Sequence, residues 1–281
     1  MIISPSLRTV FVHIPKNAGS TIETLFDPWL DPRTDLHVSK ASSLPSNFAA
    51  TGVNSDNRVG KHSSTDQILA AMGPGKMDRY FSFAFIRNPF ARCFSAYRYM
   101  QERAEKDIRD GTLSQTGEGA DRQIFLHRSF DDICADLPNL SFVFQLFLPQ
   151  FFWLPTETDL SFLGRVENMD EDLAVIFDLL DLPSSGLDFI PRRNSKTGPN
   201  EWRAMPGACV DAIRVFYAED FTRFDYSTDP LGNERAPRQT PAMPPDWNSK
   251  FASASFGPET DGKLRLDTGK FAASAIKTGP L

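Results

Sequence analysis

The chain has 281 residues, 41% of them hydrophobic and 23% charged, with a formal net charge of −6 at neutral pH. That length supports one substantial core plus an appendage. The acidic balance argues against general binding to nucleic acid or to anionic membrane, so a polyanionic ligand has to be held by a local basic pocket.

In chain order, the first element is the run Thr9 to Ile14, nearly unbroken in apolar residues, with Val10, Val12 and Ile14 β-branched. It predicts a short strand buried on both faces. Pro15 has no N–H for the ladder and ends it. Lys16, Asn17, Ala18, Gly19, Ser20 and Thr21 then make a small-residue turn, and from Thr21 the spacing of Ile22, Leu25 and Phe26 is helical. Such a strand, lysine turn and helix start build an anion cradle. N–H groups converge at the helix N-terminus, glycine admits close approach and the lysine adds a point charge. An ordinary strand-to-helix connection has the same pattern. The Gly-x-x-x-x-Gly-Lys-Ser/Thr spacing of nucleoside-triphosphate loops is absent.

The segment Phe11-Val-His-Ile-Pro-Lys-Asn-Ala-Gly-Ser-Thr-Ile22 resembles the 5′-phosphosulfate loop of sulfotransferases that use 3′-phosphoadenosine-5′-phosphosulfate (PAPS). It is most similar to the carbohydrate, family 2 type, branch. Asn17 stands where that branch usually has threonine, and Ser20-Thr21 inverts the usual order; both changes keep small polar residues. The resemblance implies that residues Lys16 to Thr21 hold the phosphosulfate end of the donor, with Lys16 also catalytic.

Residues 27–56 are polar and punctuated by Pro28, Pro32, Pro45 and Gly52, with no assignable chemistry. Ser64 or Thr65 then predicts the N-cap of a helix carrying Ile68, Leu69 and Met72. His62 lies just before it, at the end of an extended segment, on the edge where open α/β sheets bind ligands. A surface histidine near a cap fits that position too. By resemblance, Lys61-His62 matches a Lys-His or Gly-His pair that supplies the catalytic base, a task suited to an unperturbed pKa of about 6.5. His13 reads as core or as support for the site, and His37 and His127 have no supporting context.

Tyr80 to Ile86 predicts a second buried strand, after which Asn88 caps a helix and Pro89 takes its first position. Phe90, Phe94 and Tyr97 follow at helical spacing. Where a nucleoside-triphosphate kinase commonly has an acid that organises Mg²⁺, this chain has Arg87, which binds an anion directly and favours metal-free transfer. Ser95 lies about two helical turns further on. Arg-Asn-Pro followed by serine at that interval resembles the 3′-phosphate motif of the same sulfotransferases, which implies that Arg87 and Ser95 grip that phosphate. The other reading is a buried arginine paired with a carboxylate and a serine facing solvent. Arg92 and Arg98 fall on the polar side and read as surface charges.

Beyond Gln101 the helix continues, and Gly111 to Gly119 reads as a loop, either a substrate lid or simply solvated. Gln123 to Leu137 predicts one amphipathic helix. The aromatic stretch Asn139 to Leu154 contains Pro149-Gln-Phe-Phe-Trp153, core by composition and acceptor side by resemblance. A strand ending near Val166 leads into a helix through Leu180, with Asn168 as candidate cap and Asp170, Glu171 and Asp172 in its first turn. Glu167 matches the glutamate of the family's Gly-Arg-x-Glu-Asn segment; it either orients a catalytic group or pairs with Arg165. In the basic loop Phe189 to Lys196, the resemblance makes Arg192, Arg193 and Lys196 further contacts to the 3′-phosphate, while a solvated loop fits equally. Cys209 to Tyr226 predicts one helix, similar to the family's closing helix.

The expectation is therefore an α/β domain over residues 1–226, with a mostly parallel central sheet, helices on both faces and the site at the strands' carboxyl ends. By resemblance this is a P-loop-NTPase-like sulfotransferase fold. Residues 227–281, rich in Pro, Gly and Ser, read as a tail that is weakly ordered or packed on the domain surface. Cys93, Cys134 and Cys209, odd in number and far apart along the chain, suit free thiols in a reducing compartment. Without a leader pattern or about 18 consecutive apolar residues, the chain reads as soluble and cytoplasmic, with no integral membrane segment. The resemblance implies PAPS as co-substrate, PAP as product, no metal, and an acceptor hydroxyl on a glycan or glycolipid. Two rival classes are a metal-dependent small-molecule kinase and a catalytically inactive nucleotide-binding module.

Overall fold

The computed structural model describes residues 1–38, 59–73, 75–112, 121–155, 160–189, 201–232, 240–244 and 247. Its central strand is β4 (Phe81–Ile86), whose six residues are all buried. A run of Phe, Ala, Ile and one Ser without charge is stable there only with a strand on each edge and a layer on each face. β2 (Thr9–Val12) and β5 (Phe162–Arg165) flank it, both parallel to it, with Val12 opposite Ala84 and Arg165 opposite Ile86. β1 (Ile2–Ser4) and β3 (Leu36–His37) extend the sheet beyond β2, giving the order β3-β1-β2-β4-β5.

Both pairings of β1 are antiparallel, so the sheet is mixed and the expected mostly parallel arrangement is corrected. Residues 5–8 alone join β1 to β2. A connection that short turns the chain straight back, whereas a parallel return needs a crossover. β1 and the two-residue β3 are too short to leave a period in the sequence.

The helices are α1 (Gly19–Phe26), α2 (Thr65–Met72), α3 (Pro89–Arg109), α4 (Phe130–Ala135), α5 (Leu137–Val143), α6 (Met169–Leu179), α7 (Gly207–Phe216) and α8 (Ala218–Arg223). They cover both faces, as expected. Pleating sends alternate residues of a strand to opposite sides. Phe81, Phe83 and Phe85 therefore join Phe11 under α1 and α6, packed by Phe26 and Phe177. Ala84 and Ile86 join Val10 and Val12 on the other face, under Ile68 of α2, Phe90 of α3 and Ile213 of α7. Each such large apolar side chain contributes roughly 1.5–3 kcal/mol on burial.

Ser64 caps α2 in a reciprocal box with Gln67, and Asn88 caps α3 with Pro89 in the first turn. The predicted strand Thr9 to Ile14 stops at Val12. Gln123 to Leu137 is not one helix. It comprises a 3-10 turn (Gln123–Leu126), then α4, then the start of α5, because Ser129 and Asp132 form a capping box that restarts the helix. The stretch Cys209 to Tyr226 likewise divides at Tyr217, whose hydroxyl donates to the Phe147 carbonyl at 2.7 Å. Asn168 precedes α6 without a side-chain capping bond.

In the tail, Ala242 N–H donates to the Ser161 carbonyl at 2.7 Å, and the Trp247 ring lies 6.1 Å from Phe81. Residues 113–119 of the predicted loop and residues 233–239, 245–246 and 248–281 of the tail lie outside the described residues. Among the described residues no helix is long and apolar enough to cross a membrane.

Candidate functional site

Parallel pairing of β2 with β4 brings the two exits Ile14 to Thr21 and Arg87 to Pro89 side by side at one edge of the sheet. The first exit turns sharply. Lys16 and Ala18 both have left-handed backbone, with φ of 70° and 59°, a conformation uncommon outside glycine. Thr21 and Ile22 N–H donate to the Ala18 carbonyl. The N–H groups of Gly19 and Ser20, in the first turn of α1, have no intrahelical acceptor. Gly19 is required by packing, since a Cβ there would stand 2.2 Å from the His13 ring.

Lys16 carries its ammonium 4.0 Å above the centre of the Tyr99 ring on α3. Burial, then the neighbouring charge of Arg87, pushes it down to about 7, with Glu102 opposing. Asn17, expected in the cradle, is buried, and its side chain turns inward. Its Nδ2 donates to the Phe85 carbonyl at 2.8 Å and to Gln150 Oε1 at 2.6 Å.

At the second exit Arg87 Nη1 donates to the Lys16 carbonyl at 3.3 Å. Asn88 Oδ1 accepts from Phe90 N–H at 2.9 Å, opening α3. Ser95 is half-buried on α3, one turn before Tyr99 and on the same face, so it lies on the side of the helix that meets Lys16. Glu167 Oε1 accepts from Asn88 N–H at 2.8 Å and Oε2 accepts from the Tyr226 hydroxyl at 2.9 Å. It thus supports the arginine-bearing turn. Arg192, Arg193 and Lys196 lie outside the described residues.

His62 stands over the first exit. Its Nδ1 is 3.0 Å from the His13 carbonyl, its own carbonyl accepts from Trp153 Nε1 at 3.0 Å, and its ring meets that of His13 edge to face at 4.6 Å. Burial pushes its imidazole down to about 4. Lys61 Nζ lies 3.5 Å from both Ser20 Oγ and Glu23 Oε2. Glu23 also receives His13 Nδ1 at 2.7 Å. Burial opposes its ionisation, but hydrogen bonds from His13 and His37 outweigh that and hold the carboxyl well below the usual range.

Arg92 corrects an expectation. Instead of a surface charge it is a fully buried cation, donating to the carbonyls of Pro15 (3.1 Å), Leu148 (2.8 Å) and Leu146 (3.1 Å). Pro15 immediately precedes Lys16, so Arg92 anchors the root of the lysine turn. Gln150 is another residue whose place the sequence did not disclose. A lone polar side chain amid Pro149-Gln-Phe-Phe-Trp153 was the available signal, and it proves fully buried between the two exits. Tyr99, Glu23 and Asp220 also escaped notice.

The structure brings Lys16, Ser20, Lys61, His62, Arg87 and the Ser95 face of α3 to one edge of a mixed α/β sheet, the edge at which such folds bind ligands. Compared with known protein families, residues 1–227 match the sulfotransferase family, of the family 2 type, and the chain belongs to it. That membership supports a transferase enzyme and sulfuryl transfer in general, and the family generally uses PAPS as sulfate donor. Searches of curated proteins and of solved structures returned no match.

Proposed function

We propose that the protein transfers a sulfuryl group from PAPS to an acceptor hydroxyl on a carbohydrate. The observation that carries this reading is the bond from Arg87 to the Lys16 carbonyl: the residues assigned to opposite ends of the donor are joined in one cluster. In a chain of net charge −6, gathering Lys16, Lys61 and Arg87 at one edge favours a polyanion there. The donor supplies an activated S–O bond. The acceptor oxygen bonds to sulfur while the bond from sulfur to the bridging phosphate oxygen breaks, and PAP leaves.

His62 takes the acceptor's proton. Lys16 and the N–H groups of Gly19 and Ser20 stabilise charge growing on the bridging and sulfuryl oxygens. Asn17, Ala18 and Thr21 contribute through the shape of the turn. Arg87 and Ser95 hold the 3′-phosphate, joined by Arg192, Arg193 and Lys196, and Glu167 keeps the arginine turn in place. The catalytic unit is residues 1–226, with 227–281 as its appendage, and the buried thiols suit a reducing, cytoplasmic setting.

Calorimetry in chelator tests the donor: PAP binds without metal, and ATP binds more weakly. Binding of ATP and Mg²⁺ with none of PAP would return the kinase reading. Transfer of labelled sulfate from PAPS to a panel of glycans then separates an active enzyme from an inactive nucleotide-binding module.

A further inference from the structure

We propose that Gln150 is a positioning residue that sets the spacing between the Lys16 turn and Arg87, and so makes recognition of the two ends of the donor cooperative. This rests on the sulfotransferase reading. Gln150 is completely buried, and both ends of its amide are used. Oε1 accepts from Asn17 Nδ2 at 2.6 Å and from Arg87 N–H at 2.8 Å, while Nε2 donates to the Arg87 carbonyl at 2.9 Å. One side chain therefore ties the residue after Lys16 to both peptide groups of Arg87. An amide of this length supplies an acceptor and a donor together; an ionised glutamate has no donor for the Arg87 carbonyl, and methionine has no donor and only a weakly accepting sulfur.

Gln150 is itself fixed from behind. Asp220, fully buried on α8, accepts from Gln150 N–H at 2.7 Å and Phe151 N–H at 3.0 Å. Arg92 holds the preceding carbonyls of Leu146 and Leu148 and, across the gap, that of Pro15. The segment from Leu146 to Phe151 thus splints the two exits at three points. A ligand that touches both exits gains from the splint because it meets a preset spacing. A ligand that touches one exit does not.

The test compares PAP with AMP, which lacks the 3′-phosphate, by calorimetry on the full chain. Wild type prefers PAP. In Gln150→Met the ratio of PAP to AMP affinity falls by about tenfold or more, while AMP affinity changes by less than about threefold. General destabilisation would not move that ratio. Asp220→Asn keeps the side-chain volume and serves as a milder second variant, with a fall of about two- to fivefold. Folded variants that keep the wild-type ratio overturn the proposal while leaving the sulfotransferase reading intact. Wild-type protein that binds neither nucleotide overturns both.

Discussion

The Nδ1 of His62 faces the main-chain oxygen of His13 at 3.0 Å. A carbonyl only accepts, so in the neutral ring Nδ1 carries the hydrogen and Nε2 keeps a lone pair. Because the imidazole is pushed down to about 4, chiefly by burial, that lone pair is available at any pH above this value. A polyanion bound nearby favours the imidazolium and raises the value, so under the proposed function His62 would become the stronger base once donor is in place.

For catalysis, His62→Asn should lower kcat by about 10²–10⁴-fold while PAP affinity stays within about threefold. The wild-type kcat/KM for PAPS, which reports the free enzyme, should hold level from pH 6.5 to about 5 and fall towards pH 4. An acid limb centred at the ordinary histidine value would show that another group is the base.

Lys16, held near 7 by burial and by Arg87, is partly deprotonated at neutral pH. The phosphates of PAP favour the ammonium, so binding between about pH 7 and 9 should take up a proton, and affinity should weaken as pH rises through that window. Calorimetry in buffers of different ionisation heat reads the uptake directly. Lys16→Arg, protonated throughout, should abolish it. Lys16→Ala should cost about 3 kcal/mol in the barrier to transfer.

Gly19→Ala places a methyl 2.2 Å from Cδ2 and Nε2 of His13. Relief requires the ring to leave Glu23, so the variant should lose about 1–3 kcal/mol of stability, read from the urea midpoint. Turnover should fall further than unfolding explains, because the His13 carbonyl also orients His62.

Arg92→Leu strips the carbonyls of Pro15, Leu146 and Leu148 of their donor. At about 1–3 kcal/mol for each buried group left unpaired, a loss of roughly 3 kcal/mol or more is expected in urea unfolding. A loss within about 0.5 kcal/mol, the usual range for surface substitutions, would mean the guanidinium is not buried as described.

Acid should destabilise the protein in two stages. His13 and His62 are both held below 6.5, chiefly by burial. Below that value the unfolded chain binds protons that the folded chain refuses, so stability drops as pH falls from 6.5 towards 4. Glu23 has the opposite cause and the same sign. Its depressed carboxyl contributes fully above its ordinary value of 4.5, and the contribution is lost as pH falls further. Urea midpoints measured from pH 7 to pH 3 should decline throughout, and Glu23→Gln should flatten the part below about pH 4.5.

Much of the candidate site's local structure was legible because its signals are local. The Lys16 turn and the Asn88-Pro89 helix start each depend on neighbours within a few residues, so the sequence marks them where they occur. Arg92 was not legible. Helical spacing places it on a polar face, whereas its acceptors belong to residues 15, 146 and 148, and only packing brings those carbonyls around it. The inward turn of Asn17 towards Gln150 escaped for the same reason.

By itself the sequence determined that two buried strands each run into a helix through a turn that carries a cation, Lys16 or Arg87, since burial, proline, capping and helical period are properties of contiguous residues. The tertiary structure alone decided that the sheet is mixed, that β2 and β4 are adjacent, and that Gln150 stands between their exits. These depend on contacts between residues tens of positions apart, whose meeting is set by how apolar faces stack and where buried polar groups find partners.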